Sequence, residues 1–363
     1  MNKKLKIAII GSRGYPYVYS GYETLVKELA ERLVKNGHEV RIYCHSYLFK
    51  KQPRNINGIE LIYIPAIKSK FLSQITNSFL SFIHVCFSRY DTVFAVNSAN
   101  GVFGLMTLLF GKKTFINVDG LEWLRPKWKG IGSVYYLLSS YMATKFFKRI
   151  ITDSEEMKKI YLNKFNTESV VIAYGSTMIK NLKLDIHKLY NLKKNNYYLI
   201  VGRLIPDNNS LLIIENFLKV NTKRKLVIVG DVPYRDKYAS IIKSYENERV
   251  VLLGYVKNQK HLSRLYEDCF FYIHGHEYGG TNPTMINAID MKCRIIALQT
   301  KFNEEMLFGL NCIFFQKKSR SVRDAFKICE SNLVKRIDSK KNIDKKYDWD
   351  FIVQKYTNLF YEI

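Results

Sequence analysis

The chain has 363 residues, 47% of them hydrophobic, and its 57 Lys and Arg exceed its 32 Asp and Glu by 25 formal charges. This length is long for a single core and suits two domains of ordinary size. No apolar stretch reaches the roughly 18 uninterrupted residues of a membrane span, and no zinc-finger, RRM or KH motif accompanies the basic charge, which argues against a nucleic-acid partner and leaves anionic lipid.

Residues 5–10 are apolar and predict a first strand that runs directly into Gly11. The apolar part is too short for a secretory signal, so we expect a cytoplasmic protein. The six cysteines are far apart and form no CxxC pair, which indicates reduced, mostly buried thiols. His274 and His276 follow Cys269 without further ligands at zinc spacing, so we predict no bound metal.

A glycine-rich loop follows the first strand, and a helix over 24–36 and a strand over 39–43 come next. This is a βαβ unit, but the glycine spacing is not GxGxxG, so the dinucleotide fingerprint fails. We predict instead that Gly14 and Gly21 bring backbone amides to a diphosphate. Further strands are predicted over 92–96, 114–118 and 149–152.

Asp119 lies in a glycine loop at the end of one of these strands, in the sequence Asn117-Val-Asp-Gly-Leu-Glu-Trp123. Its carboxylate can be a base, an orienting group or a cap for its own turn. The sequence alone leaves these three roles open.

The strand and helix pattern restarts after the Lys/Asn-rich stretch 180–196, with strands predicted over 197–201, 225–230 and 250–254. The chain is therefore predicted to be an α/β protein with two doubly wound, Rossmann-like domains and a ligand cleft at their strand ends. The predicted division is 1–185 for the first domain, 186–340 for the second, and 341–363 for a helix that packs back on the first. The Asp348-Trp-Asp350 turn is expected to be structural.

Two strand ends in the second half carry candidate ligand groups. Arg203 follows Gly202, where its guanidinium can pair with phosphate in a bidentate manner. Glu277 lies in a loop between a buried strand and a helix that begins near Pro283. The same loop supplies Gly279, Gly280, Thr281 and Asn282, which allow a ligand to approach the backbone. An ordinary turn has a similar composition, so this alternative stays open.

Basic residues alternate with large apolar residues in two segments of the first half, 68–89 and 123–129. This pattern is typical of an interfacial membrane contact. A solvated face beside a core helix is the alternative interpretation.

Taken together, these motifs resemble the GT-B glycosyltransferases of retaining family 4, and among them bacterial rhamnosyltransferases that begin with a Gly-Ser-Arg-Gly block. The similar stretches run along almost the whole chain: 11–40, 117–128, 152–154, 173–175, 201–209, 253–256 and 274–287. The resemblance implies that domain 1–185 binds the acceptor and domain 186–340 the nucleotide sugar, and that Arg203 and Gly21 contact the donor diphosphate. It also implies that Val256 lies near the nucleobase and that Glu277 touches sugar hydroxyls.

The resemblance has departures as well. Asp119 stands where many relatives carry a His near the reacting centre. Asn208 replaces a usual Lys, and Asn287 replaces an acid that commonly binds the donor ribose. An amide lacks the charge-assisted strength of a carboxylate, so we expect weaker donor binding there.

The predicted function is transfer of L-rhamnose from dTDP-L-rhamnose to a lipid-linked saccharide of a bacterial surface polysaccharide. No metal or other cofactor is expected, and the protein is predicted to lie on the inner face of the plasma membrane, against anionic lipid. The alternatives are another donor such as a UDP-hexose, a sugar-nucleotide epimerase, or a catalytically weak protein that binds sugar nucleotides or membrane.

Overall fold

The structure is a computed structural model that describes residues 3–16, 21–69, 72–125, 128, 130–232, 235–331, 336 and 343–362. It divides into two compact units. Unit 1 comprises Met1–Gly175 and Lys345–Ile363, and unit 2 comprises Ser176–Asp344.

Unit 1 is built on eight strands, most of them joined by helices. The strands are β1 (Lys6–Ile10), β2 (Glu39–His45), β3 (Asn55–Ile56), β4 (Ile59–Ile64), β5 (Thr92–Val96), β6 (Thr114–Asn117), β7 (Arg149–Thr152) and β8 (Val170–Val171). The α-helices are α1 (Gly21–Lys35), α2 (Leu72–Cys86), α3 (Gly104–Leu109), α4 (Ile131–Phe146), α5 (Glu155–Phe165) and, from the C-terminus, α14 (Trp349–Tyr361).

The sheet of unit 1 has the order β3-β4-β2-β1-β5-β6-β7-β8, and only the β3–β4 pair is antiparallel. β1 lies at its centre, with Ala8 opposite Arg41 of β2 and Val93 of β5. Helices on both faces explain why residues 7–10 are buried without alternation. The strand order reverses between β1 and β5, and in open α/β sheets ligands bind at such a switch point.

The C-terminal helix α14 is part of unit 1. Tyr356 packs its ring 5.3 Å from that of Phe94 on β5, and Arg32 of α1 forms an ion pair with Asp350 at 3.0 Å. Asp348 caps the helix by accepting the N–H of Phe351 at 2.9 Å. The Asp-x-Asp sequence therefore starts a helix.

Unit 2 contains six strands and most of the remaining helices. The strands are β9 (Tyr197–Val201), β10 (Lys225–Val229), β11 (Val250–Gly254), β12 (Phe271–His274), β13 (Ile295–Leu298) and β14 (Cys312–Phe315). The helices are α6 (His187–Tyr190), α7 (Ser210–Phe217), α8 (Lys237–Lys243), α9 (Gln259–Asp268), α10 (Pro283–Asp290), α11 (Lys301–Met306), α12 (Ser319–Glu330) and α13 (Ile343–Lys346), the last of which crosses the division between the units.

All strands of unit 2 are parallel, in the order β11-β10-β9-β12-β13-β14. The order reverses between β9 and β12, so the loops that follow these two strands meet at the switch point of the sheet. Buried apolar and aromatic side chains, including Tyr198, Phe217 and Phe326, fill the space between the sheet and its helices. The predicted fold class is confirmed.

The first boundary differs from the predicted one, because residue 185 lies within unit 2. Two contacts hold the preceding segment to unit 2: the N–H of Thr177 donates to Asn287 Oδ1 at 3.3 Å, and that of Ile179 donates to Ser263 Oγ at 3.0 Å. The predicted boundary was placed after residue 185 because the Lys/Asn-rich stretch 180–196 is polar like a linker. Residues 176–185 are nevertheless anchored to unit 2.

Candidate functional site

The loop after β9 carries Arg203 at the switch point of unit 2. Asn208 ties this loop together, since its Nδ2 donates to the carbonyl of Arg203 at 2.7 Å and its Oδ1 lies 2.8 Å from His276 Nδ1. Arg203 is half-buried, and its guanidinium makes no hydrogen bond or ion pair with the described residues. A cation that has no partner in this described part of the chain is suited to an anionic ligand.

The loop after β12 carries Glu277 beside the first loop. The N–H of Glu277 donates to the carbonyl of Asp207 at 3.0 Å, which fixes the backbone. Its Oε2 accepts from Lys317 Nζ at 2.7 Å and from Asn209 Nδ2 at 3.5 Å. The carboxylate is thus held near the end of β9 by groups from two other loops.

Close backbone contacts among these loops require glycine. A Cβ on Gly275 would lie 2.2 Å from the carbonyl oxygen of Asn208, and one on Gly230 would lie 1.9 Å from that of Gly202. Both distances are far below any real contact, so larger residues would push the loops apart. Glycine at these positions brings the loops after β9, β10 and β12 together.

A hydrogen-bonded chain fixes the start of α10. The hydroxyl of Tyr272 lies 2.9 Å from both His274 Nδ1 and Thr284 Oγ1, and Asn282 Oδ1 caps the helix through the N–H of Thr284 at 3.0 Å. Burial lowers the pKa of His274 to about 3, so this imidazole is neutral at physiological pH. His274 is therefore a structural residue of this loop.

Asn287 lies on α10 and is almost fully buried. Its Oδ1 accepts from the N–H of Thr177 at 3.3 Å and from Ser176 Oγ at 3.4 Å. Its Nδ2 makes no hydrogen bond within the described part of the chain. The oxygen thus anchors the segment that enters unit 2, and the amide hydrogens remain available to a ligand.

The remaining predicted donor residues of unit 2 lie in the same set of loops. Gly279 has φ of 120°, a conformation that side chains disfavour. Gly280 and Thr281 are buried beside it, and Val256 is half-buried in the loop after β11. Apart from Asn287 on α10, the predicted set in unit 2 therefore falls on loops at the carboxyl edge of one sheet.

In unit 1, two predicted glycines flank the loop after β1. Gly14 has φ of 117°, and a Cβ there would lie 2.7 Å from Cys44, so packing alone demands glycine. Gly21 is the first residue of α1. Residues 17–20 of this predicted loop lie outside the described residues. Glu23 is buried and accepts from the N–H of Arg13 at 3.3 Å, a contact that the sequence did not single out.

Asp119 follows β6 and is surrounded by tyrosines. Its Oδ2 accepts the hydroxyl of Tyr174 at 2.7 Å, and its carbonyl accepts that of Tyr22. Burial raises the pKa of Asp119 above the ordinary carboxyl value, against the opposing effect of the Tyr174 hydrogen bond. The fold therefore favours a protonated Asp119 more than water does.

Sequence reasoning missed Lys317, because it follows β14 and is remote in sequence from Glu277. It also missed the contact between His276 and Asn208. The replacement of the usual family Lys by Asn208 was the available signal for an altered contact there. Among the residues that the structure describes, no group of three or more His, Cys, Asp or Glu has an arrangement that could hold a metal ion. Nor, within those ranges, does any helix combine the length and apolar character needed to cross a membrane.

The chain is similar to known proteins over most of its length. Residues 19–175 match the model of Glycosyltransferase Family 4, and residues 183–320 match that of Glycosyl transferases group 1. It is 25% identical over 234 residues to the N-acetylgalactosamine-N,N'-diacetylbacillosaminyl-diphospho-undecaprenol 4-alpha-N-acetylgalactosaminyltransferase of Campylobacter jejuni. That alignment covers 60% of this chain and 60% of the relative.

Two solved structures share the fold. Sucrose-phosphate synthase from Thermosynechococcus elongatus has a TM-score of 0.81 at 14% identity, with 99% of each chain covered. Anabaena HepE in complex with UDP-glucose has a TM-score of 0.74 at 14% identity, with 98% of this chain and 99% of that chain covered. Because the two family models together account for most of the sequence and the fold agrees, the chain belongs to the GT-B glycosyltransferases of family 4.

Proposed function

We propose that the protein is a retaining glycosyltransferase that moves a sugar from a nucleotide donor to a glycan acceptor. This proposal rests on Arg203, which is half-buried at the switch point of unit 2 and whose guanidinium lacks a partner among the described residues. A nucleoside diphosphate is the anionic leaving group that this family of enzymes releases.

The proposed roles follow from charge and position. The bond between the anomeric carbon and the diphosphate oxygen breaks, the acceptor oxygen bonds to that carbon, and the acceptor proton leaves. Arg203 stabilises the charge that develops on the diphosphate. Glu277, held by Lys317 and Asn209, orients sugar hydroxyls. Asp119 is proposed to act on the acceptor side.

We propose L-rhamnose from dTDP-L-rhamnose as the donor, on the resemblance of the N-terminal Gly-Ser-Arg-Gly block. A second candidate is a UDP-linked N-acetylhexosamine or hexose. It is supported by the name of the Campylobacter relative, an N-acetylgalactosaminyltransferase, and by the UDP-glucose bound to the Anabaena protein.

We further propose a lipid-linked saccharide acceptor and attachment to the inner face of the bacterial plasma membrane. The Campylobacter relative is named for a diphospho-undecaprenol acceptor, which supports this choice. The membrane attachment was first predicted from the two basic and aromatic segments, 68–89 and 123–129. Residues 70, 71, 126, 127 and 129 of these segments lie outside the described residues.

The test is a turnover screen of the purified protein with dTDP-L-rhamnose, UDP-N-acetylhexosamines and UDP-glucose, each with and without polyprenyl-diphosphate saccharides. We expect nucleoside diphosphate release from one donor, fastest for dTDP-L-rhamnose, and a glycosylated lipid by mass spectrometry. Faster release from a UDP-sugar would replace the donor assignment. Binding of a donor without release under any acceptor would instead favour a binding protein.

A further inference from the structure

We infer that the outer face of helices α2, α3 and α4 in unit 1 is a docking surface for an anionic lipid bilayer. This inference rests on the proposed function, because a lipid-linked acceptor is presented at a membrane. It goes beyond the two sequence segments, since α3 and α4 both lie outside them.

The first observation is an apolar stripe on α4 that is open to solvent. Ile131, Val134 and Leu138 are all exposed, and Ile131 is 90% exposed. Spacings of three and four residues put them on one side of the helix. Tyr141 continues the stripe, and Lys145 ends it with its Nζ 5.4 Å from the Tyr141 ring. In a helix whose only role is to pack against the core, large apolar side chains at this spacing would be buried.

The second observation is an apolar cluster at the ends of α2 and α3. Leu108 and Leu109 are exposed on α3, and Phe87 and Phe110 follow the two helices with ring centroids 5.1 Å apart. Leu109 and Phe87 are each 76% exposed. The edge-to-face contact between the two phenylalanines leaves both rings largely exposed at the surface.

The third observation joins the two clusters into one layer. α3 packs against both α2 and α4. α1 instead packs against α14. Exposed apolar residues therefore extend across three neighbouring helices, and apolar surface of this extent marks an interaction site.

The positive charge around α2, α3 and α4 indicates which partner this face binds. Residues 66–90, 98–117 and 129–151 contain these three helices and the loops beside them, with nine Lys and Arg and no Asp or Glu. Lys68, Arg89, Lys113 and Lys148 are exposed. A second copy of this chain docked through the same face would place like charges together, which costs free energy. An anionic bilayer accepts both the apolar groups and the cations.

The experiment uses the full chain and sedimentation with vesicles of phosphatidylcholine alone or of phosphatidylcholine mixed with phosphatidylglycerol, because anionic lipid attracts basic residues to a bilayer surface. We expect binding to the anionic vesicles only, with loss in high salt. The double variant Leu109→Asn with Ile131→Asn should weaken partitioning by about tenfold or more. Phe308→Asn is the matched control, because Phe308 is 87% exposed in unit 2 and should leave partitioning unchanged.

Equal binding to neutral vesicles, or unchanged partitioning of the double variant, overturns the inference. So does a change of oligomeric state in the double variant with partitioning retained, which would assign the face to self-association. Circular dichroism and thermal melting establish that each variant is folded. Nucleoside diphosphate release without vesicles separates the two proposals, because it tests donor chemistry and does not need the docking face.

Discussion

The two units have parallel sheets flanked by helices, yet their helices present different chemistry to solvent. In unit 2, α12 exposes Arg320 and Lys327, which pair with Asp324 on the same helix at 3.8 and 3.2 Å. In unit 1, α3 and α4 expose leucine, isoleucine and valine, and the segments around them lack acids. The fold is shared, so the sheet architecture does not dictate which partner a surface meets.

The strand ends of the two units differ as well. Unit 2 holds Arg203 without a partner among the described residues, whereas the Arg13 guanidinium of unit 1 lies 3.4 Å from the buried carboxylate of Glu23. Unit 1 also carries Asp119 with a raised pKa. These differences support the proposals that unit 2 binds the anionic donor and that Asp119 of unit 1 acts on the acceptor side.

The largest expected effect comes from Arg203→Ala, which removes the cation of unit 2. Loss of one transition-state donor costs about 3 kcal/mol in electrostatic sites, or on the order of a hundredfold in turnover. Arg203→Lys should recover part of this, because a point charge cannot replace a bidentate fork. Wild-type turnover in folded Arg203→Ala protein would remove this residue from the site.

Glu277→Gln tests the role of the carboxylate charge in unit 2. The variant keeps the shape but loses the charge that Lys317 and Asn209 hold in place. Hydrogen bonds to charged groups contribute about 2 kcal/mol, so turnover should fall by more than tenfold. Affinity for free nucleoside diphosphate, which lacks the sugar, should stay unchanged in calorimetric titration. An equal loss of both would place Glu277 on the nucleotide.

Asp119→Asn tests the acid of unit 1. Because the fold raises the pKa of Asp119, the folded state binds the proton more tightly than the unfolded chain does. The wild type should therefore lose stability as pH rises from the ordinary carboxyl pKa through the raised value, and the variant should lose less. Denaturant unfolding at several pH values measures this. Parallel pH profiles for both proteins would contradict it.

The smallest effect is expected from Asn287→Ala. The variant should lose one neutral hydrogen bond to the ribose, so the binding of free nucleoside diphosphate should weaken by about 1 kcal/mol. The same change also releases Thr177, so Ser176→Ala is the matched control: it loosens the anchored segment but keeps the Asn287 amide. Equal weakening in the two variants would assign the effect to the anchored segment.

Local sequence patterns were sufficient to indicate several residues of the candidate site. Glu277 could be predicted because a buried strand, paired glycines and Pro283 lie next to one another, and Arg203 because it directly follows a strand. Lys317 could not be predicted, since only the pairing of β13 with β14 brings its loop to the strand edge that also carries Glu277. The two-unit fold followed from the repeated strand and helix pattern, whereas the first boundary did not, because contacts to Asn287 and Ser263 anchor a polar segment.

The membrane face shows another limit of sequence reasoning. Leu108, Leu109 and Val134 have the composition and helical spacing of core residues, and only the absence of a covering element among the described residues distinguishes them. The membrane contact that the sequence predicted for segments 68–89 and 123–129 stays a prediction. However, Trp123, which was part of that motive, is almost fully buried.

The most direct test of the account is calorimetric titration of wild type and Arg203→Ala with a nucleoside diphosphate and with the corresponding nucleoside, using both thymidine and uridine series. The account predicts that wild type binds one diphosphate and that Arg203→Ala weakens it by about tenfold or more, while nucleoside binding is the same in both proteins. Equal affinity of the two proteins for the diphosphate would contradict the assignment of unit 2 as the donor site.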